Sequence, residues 1–292
     1  MYVFVLGTGR CGSTLVHEVL ARHPDVGFVS NVDDRLPALD LKGRWNNAVY
    51  RHIPDRFTRK GRLRYAPSEA YRILAAQVSP LLANPFRDMT AADATPWLTK
   101  RFRDFFERRR VAQAKPVFLH KFTGWPRSGF VLEAFPDARF VNVVRDGRAV
   151  ANSWLQMPWW LGYGGPEQWH WGPLPPTYEA AWEASGRSHV VLAGIGWNIL
   201  MDSFRAARTQ APEGTWVDVR YEDVIADPRA SIDALLGFMG LGRTPEFDAA
   251  FDTYTFSSGR SEAFRRDLNA TDVAALGRVC APHLREYGYQ LT

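Results

Sequence analysis

Apolar positions along the chain follow two spacings. Tyr2–Leu6 is a short β-branched and aromatic run ending at a glycine, and Leu15, Val16, Val19 and Leu20 follow at helical spacing. This predicts strand, loop, helix. The alternation returns with an apolar run over residues 117–119, a helix over 129–135, and a nearly all-apolar run over 138–144 that reads as a strand buried on both faces. A further helix starts after Asp146, a late strand covers 215–219, a helix covers 229–239, and a last helix covers 271–287, capped by Thr271 or Asp272. Apolar strands separated by helices predict an α/β fold with a parallel sheet wound by helices on both faces.

Two stretches interrupt the pattern. Residues 40–112 hold an Ala/Leu segment over 68–83 and a basic helix over 98–110 with no strand, which predicts a helical insertion. Residues 154–197 carry seven of the eleven tryptophans together with Gly-Tyr-Gly-Gly and Pro-Leu-Pro-Pro, the composition of an irregular aromatic lid or pocket wall. No repeat or flexible linker divides the chain, so residues 1–292 are expected to form one domain.

Composition narrows the function. With 46% hydrophobic and 23% charged residues the chain is globular, and no run approaches the roughly 20 apolar residues of a membrane span. Two cysteines, Cys11 and Cys280, give no disulfide framework, and the expected location is a reducing cytoplasm. The net charge of +5 suits an anionic ligand, and nearly all of the positive charge is Arg, a planar fork matched to phosphate and sulfate oxygens. Nothing demands nucleic acid. The basic run from Arg101 to Arg110 reads as a solvated helix face, with peripheral contact to an anionic membrane or polyanion as the lesser reading.

Two constellations carry chemistry. Gly7-Thr8-Gly9-Arg10-Cys11-Gly12-Ser13-Thr14 joins the first strand to the first helix, so its N–H groups converge on an anion. The loop is P-loop-like, but Ser13 stands where a nucleotide-hydrolysing loop has lysine, which disfavours an ordinary ATPase or GTPase and its magnesium site. No metal is expected. The second constellation, Val143 to Ser153, puts Arg145 at the end of a central strand and Ser153 almost two helical turns after Asp146, making a second oxyanion site.

These motifs resemble those of the sulfotransferases that use 3'-phosphoadenosine 5'-phosphosulfate (PAPS). In that family a loop like GTGRCGST holds the 5'-phosphosulfate, which the resemblance assigns to Gly9, Arg10, Cys11, Gly12, Ser13 and Thr14. An Arg with a Ser eight residues on, as in VRDGRAVANS, holds the 3'-phosphate, which it assigns to Arg145 and Ser153. His23-Pro24-Asp25-Val26, Phe135-Pro136-Asp137-Ala138 and Arg220-Tyr221-Glu222-Asp223 are similar to family landmarks in the family's order. Tyr221, Arg265 and Arg266 join the expected nucleotide contacts, and Phe264 stands where the family pattern has tryptophan.

The resemblance also implies sulfuryl transfer from PAPS by in-line displacement, with Arg10 and Lys121 stabilising charge. Relatives carry a Glu-Lys pair where this chain has His120-Lys121, and histidine can accept a proton near neutral pH. Other relatives take the base from a Glu shortly after the His-Pro-Asp-Val turn, where the nearest carboxylate here is Asp33. The base is therefore His120 or Asp33. The acceptor is expected to be a hydroxylated small molecule, glycolipid or phenol, with two or three tryptophans of the aromatic segment touching it. A nucleotide kinase-like phosphotransferase and a non-catalytic nucleotide- or polyanion-binding protein are the competing classes.

Overall fold

In the computed structural model, which describes residues 1–54, 57, 64–257 and 259–291, five parallel strands form one sheet. They are β1 (Tyr2–Leu6), β2 (Val26–Gly27), β3 (Val117–Lys121), β4 (Arg139–Val144) and β5 (Trp216–Arg220), in the order β2-β3-β1-β4-β5. β1 lies at the centre, with Phe4 opposite both His120 of β3 and Phe140 of β4. All five residues of β1 are buried, as an uninterrupted apolar run requires of a strand covered on both faces.

Helix α1 (Ser13–Leu20) follows β1, and α2 (Asn31–Arg35) and α3 (Asn46–His52) follow β2. Helices α4 (Tyr71–Gln77) and α5 (Pro96–Gln113) complete the excursion before β3, and no strand interrupts residues 40–112 among those described. The Ala/Leu segment is shorter than expected: α4 stops at Gln77 and Pro80 opens a 3₁₀ turn, since proline cannot continue the hydrogen-bond ladder. Phe102 and Phe106 of α5 pack with Phe4 on one side of the sheet, and Thr14 of α1 meets Lys121 on the other. Arg109 leaves the solvated face expected of α5: it is buried, stacks 3.7 Å from the Phe105 ring and pairs with Asp40.

Helix α6 (Ser128–Ala134) leads to β4, and α7 (Gly147–Leu155) leaves it, capped by the Asp146 side chain accepting from the Arg148 N–H. The tryptophan-rich segment is not wholly irregular. It holds α8 (Pro176–Ala184) and the first half of α9 (His189–Gln210), so Trp182 and Trp197 are helical. Residues 190–201 of α9 are all buried, and a helix apolar on every side shows no period to read. The expected last helix is two, Ala270–Val279 and Ala281–Glu286, divided at Cys280 before Pro282 and capped by Asn269 rather than Thr271 or Asp272.

The consequence for function is at the sheet's carboxyl edge. β1, β3 and β4 end side by side there, and the chain leaves β1 toward β2 and β3 on one flank and β4 and β5 on the other. This is the switch point at which open α/β sheets bind ligands. No described helix is long and apolar enough to cross a membrane.

Candidate active site

The loop after β1 turns sharply before α1. Gly12 has φ 93°, and a Cβ there would lie 2.1 Å from the Tyr221 ring, so this position needs glycine both for its backbone and for the aromatic ring packed on it. Cys11 is buried under the loop. Gly9, Arg10, Ser13 and Thr14 face a cavity of ≈ 510 Å³ also lined by Glu69, Tyr71, Lys121, Thr123, Trp125, Arg127, Trp159 and Trp171. Lys121 Nζ donates to Thr14 Oγ1 at 2.6 Å and pairs with Glu69 at 2.8 Å. The Thr123 hydroxyl donates to the same carboxylate at 2.7 Å.

A second cavity of ≈ 700 Å³ lies beside the first. Arg10, Arg145, Ser153, Arg260 and Arg266 line it, with Asn152, His189 and Asp267 among its other walls. Arg10 belongs to both: its Nε donates to the Ser153 hydroxyl at 2.9 Å, and its carbonyl accepts from Arg145 at 3.0 Å. Arg145 also donates to the Arg260 carbonyl at 2.7 Å, and its guanidinium stacks 4.8 Å from the Tyr221 ring. Tyr221 thus braces the loop and Arg145 rather than lining either cavity. Arg265 points to Glu262 at 3.5 Å and does not line the second cavity, whereas Arg260, which the sequence reading passed over, does.

Neither expected base lines the two cavities. Side chains alternate along a strand, so His120 and Lys121 of β3 point to opposite faces. Lys121 takes the loop side. His120 is 1% exposed, its ring lies among Phe4, Phe106 and Phe122, and neither ring nitrogen has a hydrogen-bond partner. Burial, reinforced by Lys121, Arg127 and Arg109, pushes its pKa down to about 3. Asp33 is buried at the third position of α2, which Ser30 caps: it accepts from Ser30 N–H at 2.9 Å, Ser30 Oγ at 2.8 Å and Asn46 at 2.6 Å. The Ser30-x-x-Asp33 spacing is a capping box, a signal the sequence did carry.

The carboxylate that does face the loop is Glu69, which sequence reasoning missed. It is about one-third exposed to the cavity. Burial pushes its pKa up, but the Lys121 charge and hydrogen bond, the Thr123 hydrogen bond and the Arg127 charge outweigh this and hold it below the usual carboxylate range. It is ionised at neutral pH, an acceptor and not a donor of protons.

Trp154, Trp160 and Trp197 are core residues. Trp159 and Trp171 line the first cavity, while Trp169 and Trp182 line a third of ≈ 950 Å³ that shares Asn84 and His170 with the first.

With this geometry in view, the sequence matches the model of the sulfotransferase family over residues 3–245, and the chain belongs to that family. It is 33% identical over 159 residues to human carbohydrate sulfotransferase 6, a match covering 49% of this chain and 36% of that protein. The chain therefore spans well under two thirds of this curated relative. Among solved structures, the sulfotransferase domain of the Synechococcus PCC 7002 olefin synthase superposes with a TM-score of 0.56 at 15% identity. That match covers 100% of this chain and 95% of the other. Sulfotransferase STF9 from Mycobacterium avium superposes with a TM-score of 0.58 at 18% identity, covering 99% and 77% of the two chains. These likenesses identify the fold.

Proposed function

We propose that the protein transfers a sulfuryl group from PAPS to a hydroxyl of a small-molecule, glycolipid or phenolic acceptor. The observation that carries this reading is the position of Arg10, whose residue lines both cavities while its guanidinium bonds Ser153. One ligand with an anionic group at each end suits two adjoining cationic cavities. The loop N–H groups, Ser13, Thr14 and Lys121 would hold the phosphosulfate, and Arg145, Ser153, Arg260 and Arg266 the 3'-phosphate.

Glu69 is the base in this reading. The acceptor hydroxyl gives its proton to the Glu69 carboxylate as its oxygen bonds to sulfur, and the sulfur–oxygen bond to the 5'-phosphate breaks, releasing 3'-phosphoadenosine 5'-phosphate. Lys121, within 2.8 Å of Glu69 and 2.6 Å of Thr14, can neutralise charge growing on the bridging oxygen. Positioning and charge stabilisation do most of the work in such a displacement. The aromatic walls of the first and third cavities are the natural place for the acceptor.

Calorimetry tests the donor assignment. 3'-Phosphoadenosine 5'-phosphate should bind, and Arg145→Ala or Ser153→Ala should weaken it about tenfold or more while hardly changing the affinity for adenosine 5'-phosphosulfate, which lacks the 3'-phosphate. No binding to the parent protein, or equal losses for both nucleotides, would reject the reading.

A further inference from the structure

Exposed large apolar side chains concentrate in one stretch of the chain. Of the eleven that are exposed among the described residues, five fall between positions 36 and 49: Leu36 at 48%, Leu39 at 59%, Leu41 at 53%, Trp45 at 68% and Val49 at 40%. Exposed apolar side chains at this density along the chain are costly in water unless something covers them.

The backbone beneath them is pinned. Gln77 donates to the Pro37 carbonyl at 2.9 Å, Arg109 pairs with Asp40 at 3.3 Å, and Gln113 donates to the Lys42 carbonyl at 3.3 Å. Asp40 and Lys42 are held in the left-handed region at φ 38° and 52°, and a Cβ on Gly43 would fall 2.2 Å from the Asn46 side-chain nitrogen. Left-handed non-glycine residues persist where the surroundings over-determine them, so the leucines and Trp45 are displayed on a fixed frame.

The charge of the face says what fits it. Arg35, Lys42 and Arg44 form no ion pair with described residues, and Arg44 stands 5.8 Å from the Trp45 ring. The acids of the segment are engaged elsewhere. Asp34 accepts from the Arg72 and Ile73 N–H groups at the start of α4, and Asp40 is taken by Arg109. Arg101 and Arg108 flank the adjoining depression beside Asp40 and Gln77. Leucines and an indole interspersed along the chain with cations that form no ion pair with described residues match the acyl boundary and phosphate layer of an anionic membrane.

We infer that residues 36–49 dock the protein on an anionic lipid bilayer. Leu36, Leu39, Leu41, Trp45 and Val49 enter the interface, and Arg35, Lys42 and Arg44 meet the lipid phosphates. None of these residues lines the three cavities of the site, so the docking stands or falls independently of the sulfuryl-transfer reading.

Co-sedimentation of the full chain with vesicles tests this. It should pellet with phosphatidylcholine vesicles containing phosphatidylglycerol and much less with phosphatidylcholine alone. Leu39→Ser/Trp45→Ser and, separately, Arg35→Gln/Lys42→Gln/Arg44→Gln should each lower partitioning about tenfold, and added salt should weaken the parent. Unchanged thermal melting and nucleotide affinity would show that the variants are folded. No pelleting with the anionic vesicles, equal pelleting with neutral ones, or variants that bind like the parent would overturn the inference. So would a dimer in sedimentation velocity that Leu39→Ser/Trp45→Ser dissolves while no vesicles are bound, because the face would then belong to a second copy of the chain.

Discussion

Glu69 and Lys121 make the chemistry of the first cavity local. An ionised carboxylate held at 2.8 Å from an ammonium can take a proton, and the neutral acid that results still accepts from the Thr123 hydroxyl. Glu69→Gln keeps the shape and removes the proton acceptor. Turnover with any accepted alcohol should fall about 10²- to 10⁴-fold, while calorimetric affinity for 3'-phosphoadenosine 5'-phosphate changes little. A variant that loses nucleotide binding and turnover together would make Glu69 a structural partner of Lys121 instead. The pH profile is a second handle. With the Glu69 pKa below the usual carboxylate range, the proposed base is ionised throughout neutral pH and activity should fall only in acid, with no inflection near 6.5. An inflection there would return a histidine to the mechanism.

At the scale of elements, the site depends on three strand ends and on the aromatic contact that sets the first loop. Tyr221 opens the helix Tyr221–Ala226 directly after β5, and its ring occupies the space a side chain at position 12 would need. Gly12→Ala therefore meets two costs, the left-handed backbone at φ 93° and the collision with the ring, together about 2–4 kcal/mol. Adding Tyr221→Ala should recover the collision and leave the backbone cost, giving a coupling energy above about 1 kcal/mol in urea unfolding; additive losses would show that the contact is slack. Most of this scaffold was legible from the chain: β1, β3, β4 and β5 are apolar enough to stand out, and the glycine loop fixes where β1 ends. The two-residue β2 is too short to carry a pattern. Glu69 was invisible for a different reason. It sits in the helical excursion before α4, 52 positions from Lys121, and only the folded route of that excursion brings it to the loop. Strand alternation lets only one of His120 and Lys121 face α1, a constraint the sequence carried without saying which.

For the molecule as a whole, the buried His120 ring is a determinant of acid stability. His120 titrates at about 3 when folded and near 6.5 when unfolded, so between those values the unfolded chain binds the extra proton. Its contribution is complete above pH 6.5 and is lost as pH falls, at up to about 1.4 kcal/mol per pH unit. His17, buried beside Lys121 and also lowered well below its ordinary value by burial, acts in the same direction. Asp88 opposes them: burial raises its carboxyl to about 6, so the native state holds that proton between about 4 and 6 and gains from acidification in that window. The raw pH curve mixes these slopes, but a comparison of two proteins does not. His120→Phe puts a similar ring among Phe4, Phe106 and Phe122 and removes two unpartnered nitrogens, so it should stabilise the fold by about 1–3 kcal/mol at pH 7.5. In urea unfolding that advantage should widen by about 2 kcal/mol between pH 7.5 and pH 5, because only the parent carries an imidazole at position 120 that takes up a proton on unfolding there. A gap that stays constant with pH would mean that His120 is solvated or hydrogen-bonded in solution, and would reopen its place at the site.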